Sequence, residues 1–187
     1  MEITLVRHGK PDLKKSGSVS AAGMGEWVSA YDASRISGSP ASPAKAACQN
    51  SNLIVSSPLP RAISSLETLG VKPDLILNEL SEAPLPLFNV PMIKLSPSLW
   101  LILFRLLWLA GASSNSESCS DAKQRAKRVA DRLVALADEH DRVLSMGHGM
   151  MNKLISKELE RAGWEKVTDG KSGYWGTVRY SLKHKII

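Results

Sequence analysis

The chain has 187 residues, 43% hydrophobic and 22% charged, and 24 lysines and arginines against 18 acidic residues give a formal charge of +6. This composition excludes a collagen-like chain, a disulfide scaffold and wholesale disorder, and the length suits one compact domain with its own core. The positive balance favours anionic partners, of which nucleic acid is only one kind. Cys48 and Cys119 lie far apart, and the start MEITLVRHGK lacks the basic-then-apolar order of a secretory signal. Reduced thiols and a cytoplasmic location are the expectation.

In chain order, residues 2–6 form a β-prone run that stops at Arg7-His8-Gly9. A helix is expected around 23–31, and the Ser/Pro/Ala-rich SGSPASPAKAA after it reads as loop. Residues 52–56 (NLIVS) read as a buried strand, 60–69 as a helix with Pro60 at its start and Gly70 at its end, and 74–78 (DLILN) as a third strand. Pro84, Pro86, Pro91 and Pro97 rule out a regular helix or a central strand over 79–97.

Residues 99–112 are apolar apart from Arg105, but fall short of the roughly 20 residues a bilayer span needs. Ser96 suits the N-cap of a helix there, Pro97 its first position and Gly111 its end. Trp100, Phe104 and Trp108 recur at i, i+4, i+8 and share one face. That face packs on the core or covers a site; the alternative is a homo-oligomer, partner or membrane-surface contact.

The polar loop SSNSESCS leads to a helix that Asp121 and Gln124 open as a capping box. Ala122, Ala126, Val129, Ala130, Leu133 and Ala137 form its apolar stripe. Lys123, Lys127, Arg128, Asp131 and Arg132 lie off the stripe and read as a solvated face rather than a nucleic-acid patch. Residues 143–146 form a fourth strand ending at Gly147-His148-Gly149, 150–162 a helix, and 177–182 a closing strand. Alternating strands and helices predict an α/β sandwich with a largely parallel sheet. No linker or repeat divides residues 1–187, and the Pro-rich and Trp-rich stretch at about 83–118 reads as a helical insertion in a single domain.

Three signals fall at predicted strand ends: Arg7-His8-Gly9, Ser56-Ser57-Pro58-Leu59-Pro60-Arg61, and Gly147-His148-Gly149. Ligands of open α/β sheets bind at the carboxyl ends of the strands, so two histidines and two arginines are candidates for one crevice. Guanidinium forks match phosphate oxygens, and imidazole can act as a nucleophile. With no Cys–His cluster at zinc spacing and no carboxylate pair placed for a metal, the set suits metal-independent phosphoryl transfer. His140 and His184 lack such context and read as surface residues.

Leu5-Val6-Arg7-His8-Gly9, then Ser56 to Ala62 (SSPLPRA), then Gly147-His148-Gly149 resemble the signature of the histidine phosphatase superfamily, branch 1, the phosphoglycerate mutase-like group. The resemblance implies a three-layer α/β/α sandwich with a central, mostly parallel mixed sheet and one reversed edge strand. It implies His8 as the phosphorylated nucleophile, and Arg7, Arg61 and His148 as phosphate ligands. A Glu in a Leu-x-Glu context after the third strand would carry the proton; Glu82 is chosen, with Glu79 in reserve. No cofactor is implied. Lys10-Pro11-Asp12 replaces the acidic or Gln residue and the Asn that follow the triplet in mutases, which argues against mutase activity. Lys10 itself is a candidate contact for a second anionic group. The expected activity is hydrolysis of small phosphomonoesters through a phosphohistidine. The alternatives are a protein phosphohistidine or phosphoprotein phosphatase, and a non-catalytic member that binds a phosphorylated ligand or partner.

Overall fold

The computed structural model describes residues 1–13, 17–88, 90, 92–114, 116–168, 170 and 173–182. In order, the elements are β1 (Glu2–Arg7), β2 (Val19–Ser20), α1 (Met24–Ala33), α2 (Ser42–Gln49), β3 (Leu53–Ser56), α3 (Pro60–Thr68), β4 (Leu75–Ile76), a 3-10 turn at Asn78–Leu80, β5 (Lys94–Leu95), α4 (Pro97–Leu109), α5 (Cys119–His140), β6 (Arg142–Gly147), α6 (Gly149–Arg161), β7 (Trp164–Thr168) and β8 (Thr177–Leu182).

Six strands form the central sheet in the order β4-β3-β6-β1-β8-β7. Strands β4, β3, β6 and β1 run parallel; β8 is antiparallel to both β1 and β7. Alternation along β1 builds both faces. Ile3 and Leu5 join Val143, Ala126, Leu133, Ile155 and Leu159 in the core under α5 and α6. Val6 joins Leu144, Met146, Ala44, Cys48, Ala62 and Leu66 in the core under α2 and α3. Helices therefore cover both faces, which makes the α/β sandwich.

The reversed strand is not at the edge, as the resemblance implied. It is β8, and β7 pairs along its outer side. The sequence reading missed β7 because only Trp164 of its five residues is buried, so no alternation marks it.

Two local expectations also change. The stretch taken for loop contains α2: Pro43 sits in its first turn, where a missing N–H costs no helix bond, and Ala44 and Cys48 lie one turn apart on the core side. The cap of α5 is Ser118, three residues ahead of the expected Asp121. Its hydroxyl accepts from the Asp121 N–H at 3.1 Å and reaches Asp121 Oδ2 at 2.7 Å. The third parallel strand is also shorter than expected, Leu75–Ile76, with the Asp74 carboxylate accepting from Ile54 N at 2.7 Å beside it.

Ser96 does cap α4, accepting from Leu99 N. Trp100, Phe104 and Trp108 are completely buried, so they are not the partner surface that their spacing left open. Trp100 and Phe104 pack with Ala21 and Met24, while Trp108 enters the core under α5. Each indole N–H finds a carbonyl, Val19 O at 2.9 Å for Trp100 and Glu117 O at 2.8 Å for Trp108. Arg105 lies over the Trp108 ring and donates to Ala83 O. This pins Ala83 of the Pro-rich segment to the helix that follows it.

Candidate active site

Arg7 of β1 stands opposite Gly147 of β6, and Ser56 of β3 opposite Met146. The ladder runs one residue past each strand: His8 N donates to Gly147 O at 3.0 Å, and Ser57 N to Met146 O at 3.0 Å. The three strand-end signals are thereby side by side at the carboxyl edge of the sheet. Helix α3 starts at Pro60 and presents Arg61 from its first turn, and α6 starts directly after His148.

The glycines admit close neighbours. A Cβ at Gly9 would meet the Trp175 ring at 2.7 Å and the Ile36 side chain at 2.8 Å. At Gly149 it would meet the Arg7 guanidinium carbon at 3.2 Å, so the glycine lets Arg7 lie against the start of α6.

The His8 and His148 rings are 5.1 Å apart. His8 Nδ1 lies 2.7 Å from Gly9 O. A carbonyl only accepts, so Nδ1 carries the proton and Nε2 keeps its lone pair. Gly9 N donates to Ser65 Oγ at 2.9 Å, and Ser65 donates to Arg61 O at 2.6 Å, which ties the His8 turn to α3. His148 Nε2 lies 2.7 Å from Ser57 Oγ, while its buried Nδ1 has no hydrogen-bond partner among the described residues.

Arg61 forms a 2.8 Å ion pair with Asp32 and lies 4.8 Å from the centre of the Tyr31 ring. Arg7 lies 4.6 Å from the centre of the Tyr174 ring. Tyr174 also packs on His8, with ring centres 5.7 Å apart. The two tyrosines thus stack on the two arginines, and His8, Arg61 and His148 are each 1% exposed or less.

Burial, with Arg61 and Arg7 adding to it, lowers His8 from 6.5 to about 3, against the opposing Gly9 carbonyl. Burial pushes His148 well below its ordinary value too, helped by Arg61, His8, Arg7 and Arg125. Both imidazoles are neutral at physiological pH. Burial likewise raises the Tyr31 hydroxyl, so it stays protonated.

The two glutamates separate clearly. Glu79 is exposed on the 3-10 turn, and its backbone carbonyl accepts from Arg125. The Glu82 carboxylate lies on the first turn of α6, accepting from Met150 N at 3.1 Å, Met151 N at 2.9 Å and Ala83 N at 3.0 Å. A carboxylate at a helix N-terminus is favoured by the unpaired N–H groups there. Glu82 is therefore carried to the His148 side of the crevice. Lys10 is exposed, with its backbone carbonyl accepting from Ser37 N. His140 ends α5 near the surface, and His184 lies outside the described residues.

Tyr31, Asp32, Ser65 and Tyr174 went unread in the sequence. Ser65 carried a signal: it lies one helical turn beyond Arg61 on the same face. The others come from α1 and the segment before β8, with no local pattern. A cavity of about 620 Å³ meets the centre through Arg7 and Gly149 and continues along Met150, Lys153 and Lys157 of α6. Among the described residues, no group of three His, Cys, Asp or Glu side chains could hold a metal ion. No helix among them is long and apolar enough to cross a membrane.

Fold and site together define an α/β protein with two histidines and two arginines gathered at the carboxyl edge of its sheet. A sequence model of the histidine phosphatase superfamily (branch 1) matches residues 3–184, and the chain belongs to that family. At the family level it is a phosphatase or mutase-like enzyme. No curated protein matches the chain. Among solved structures, the product of a functionally characterised open reading frame of Mycobacterium tuberculosis shares the fold at TM-score 0.60 and 16% identity, over 98% of this chain and 92% of that one. A histidine-to-alanine mutant of phosphoserine phosphatase from Entamoeba histolytica, in complex with phosphoserine, matches at TM-score 0.57 and 16% identity, over 98% and 91%. A mycobacterial glucosyl-3-phosphoglycerate phosphatase matches at TM-score 0.51 and 23% identity, over 86% and 79%.

Proposed function

We propose that the protein is a metal-independent phosphatase that hydrolyses small phosphomonoesters through a phosphohistidine at His8. The observation that carries this reading is the Nδ1 contact to Gly9 O, which leaves the Nε2 lone pair free within a cluster of two guanidinium groups and a second imidazole. Nε2 attacks phosphorus, the ester P–O bond breaks, and Glu82 gives the leaving oxygen its proton. Water then attacks the phosphohistidine, its proton returns to Glu82, and the P–N bond breaks to release phosphate. Arg7, Arg61 and His148 hold the equatorial oxygens, where charge is spread in the transition state.

Burial of the cluster beneath Tyr31 and Tyr174 favours a small phosphomonoester over a phosphorylated protein side chain. Lys10, exposed beside the centre, is the proposed contact for a second anionic group on the substrate. The test is hydrolysis of an aryl phosphate in the presence of EDTA by wild type and His8→Ala. Turnover by wild type alone, with an acid-labile phosphoryl adduct that the variant lacks, supports the reading. A fully active His8→Ala protein refutes the mechanism.

A further inference from the structure

Helix α4 has two apolar faces, and the fold uses only one. Trp100, Phe104 and Trp108 point inward and are fully buried. On the opposite side Leu99, Ile102, Leu106 and Leu109 are 52%, 58%, 60% and 51% exposed, and Leu103 and Leu107 flank them half-open. The helix's single charged residue, Arg105, is turned to Ala83 O and the Trp108 ring.

We propose that the outward face of α4 is a two-fold dimer interface, packing against α4 of a second copy of this chain. Three observations support this occupant. First, Leu99, Ile102, Leu106 and Leu109 follow one another at intervals of three, four and three, the alternation that seats one helix's side chains between those of another. Second, these residues with Leu103 and Leu107 expose roughly 500 Å², so a two-fold contact that covered all of it would bury about 1,000 Å² in total, the threshold of a specific interface. Met92 and Ile93, exposed just ahead of the helix, enlarge it. Third, each copy carries a charge of +6, so two copies meet most easily on a face that sets no cations opposite each other. A bilayer surface would instead favour a helix whose apolar face is bordered by outward-facing basic residues, and α4 offers none.

The experiment is sedimentation velocity on the full chain from low to high micromolar concentration, for wild type, Leu106→Glu and Leu106→Lys. Leu106 is exposed, so neither variant creates a core defect, and thermal melts check that both fold. The expected result is a concentration-dependent mass of two 20.3 kDa chains for wild type. Each variant alone is expected as a monomer, because either charge would be buried against the second copy's apolar face. A wild type that stays monomeric, or variants that dimerise like wild type, would overturn the proposal. A monomer that co-sediments with phosphatidylcholine–phosphatidylserine vesicles would also overturn it and assign the face to a bilayer. None of these outcomes depends on catalysis at His8.

Discussion

Replacing His8 by Asn should make the protein less sensitive to acid, and the size of the effect follows from the site. The folded chain holds His8 at about 3, whereas the unfolded chain titrates it near 6.5. Below 6.5 the unfolded state therefore binds a proton that the folded state refuses. Stability tied to the neutral ring is present above 6.5 and is lost as the pH falls toward 3. At pH 5 the loss from His8 alone is about 2 kcal/mol. Asn cannot titrate, yet its amide can still donate to Gly9 O as Nδ1 does. Urea denaturation of both proteins at pH 7.5 and pH 5 reads the term, because every other titrating group is common to both and only His148, which His8 helps to lower, moves with it. Wild type should lose about 2 kcal/mol more than His8→Asn across that interval, or roughly 4–8 °C in melting temperature for a chain of this size. His148 acts in the same direction and remains in both proteins. Equal pH slopes would refute the buried, neutral description of His8.

Glu82→Gln should lower kcat for alkyl phosphates by about 10²–10⁴-fold, and should slow phosphoryl transfer from an aryl phosphate with a good leaving group much less; steady-state and burst kinetics separate the two. Glu79→Gln should leave both rates unchanged, because Glu79 is exposed away from the α6 terminus. Gly9→Ala should cost about 1–3 kcal/mol in urea denaturation, since its Cβ would overlap Trp175 and Ile36. Trp100→Ala should cost about 3–5 kcal/mol, with the lost indole bond to Val19 O adding to the cavity. Lys10→Ala should raise KM for a substrate with a second anionic group and leave KM for a simple aryl phosphate unchanged; equal effects would remove Lys10 from substrate binding.

Much of the α/β scaffold was legible because its buried strands are short runs of Ile, Leu and Val that end at Arg7-His8, Ser56-Ser57 and Gly147-His148. Arg7, His8, Arg61 and His148 were readable on the same ground: parallel strands bring their carboxyl ends together, whatever the distance in sequence. Strand β7 left no such trace, since an edge strand with Glu165, Lys166 and Val167 exposed has no burial period. Helix α2 was hidden by the Ser and Pro residues that lead into it, and its two buried side chains are small. The choice between Glu79 and Glu82 rested on a three-residue difference. It turns on which carboxylate reaches the α6 amides, a tertiary fact that no local pattern encodes. Tyr31, Asp32 and Tyr174 were invisible for the same reason, because each acts through an arginine from another element.

The Arg61–Asp32 pair bears on how turnover ends. Arg61 is fully buried, but its counter-ion is already built in, on a helix that reaches the surface with Asp32 half-exposed. Asp32 holds Nη1 alone, and Arg61 Nε is buried with no partner among the described residues, so in the proposed mechanism a phosphate takes the open edge of the guanidinium while Asp32 stays on the other. The negative charge of Asp32 beside the guanidinium would then weaken the grip on free phosphate and on substrate alike. In the proposed mechanism, product inhibition by inorganic phosphate would thereby be held down, and the covalent bond to His8 would supply the commitment that tight binding would otherwise provide.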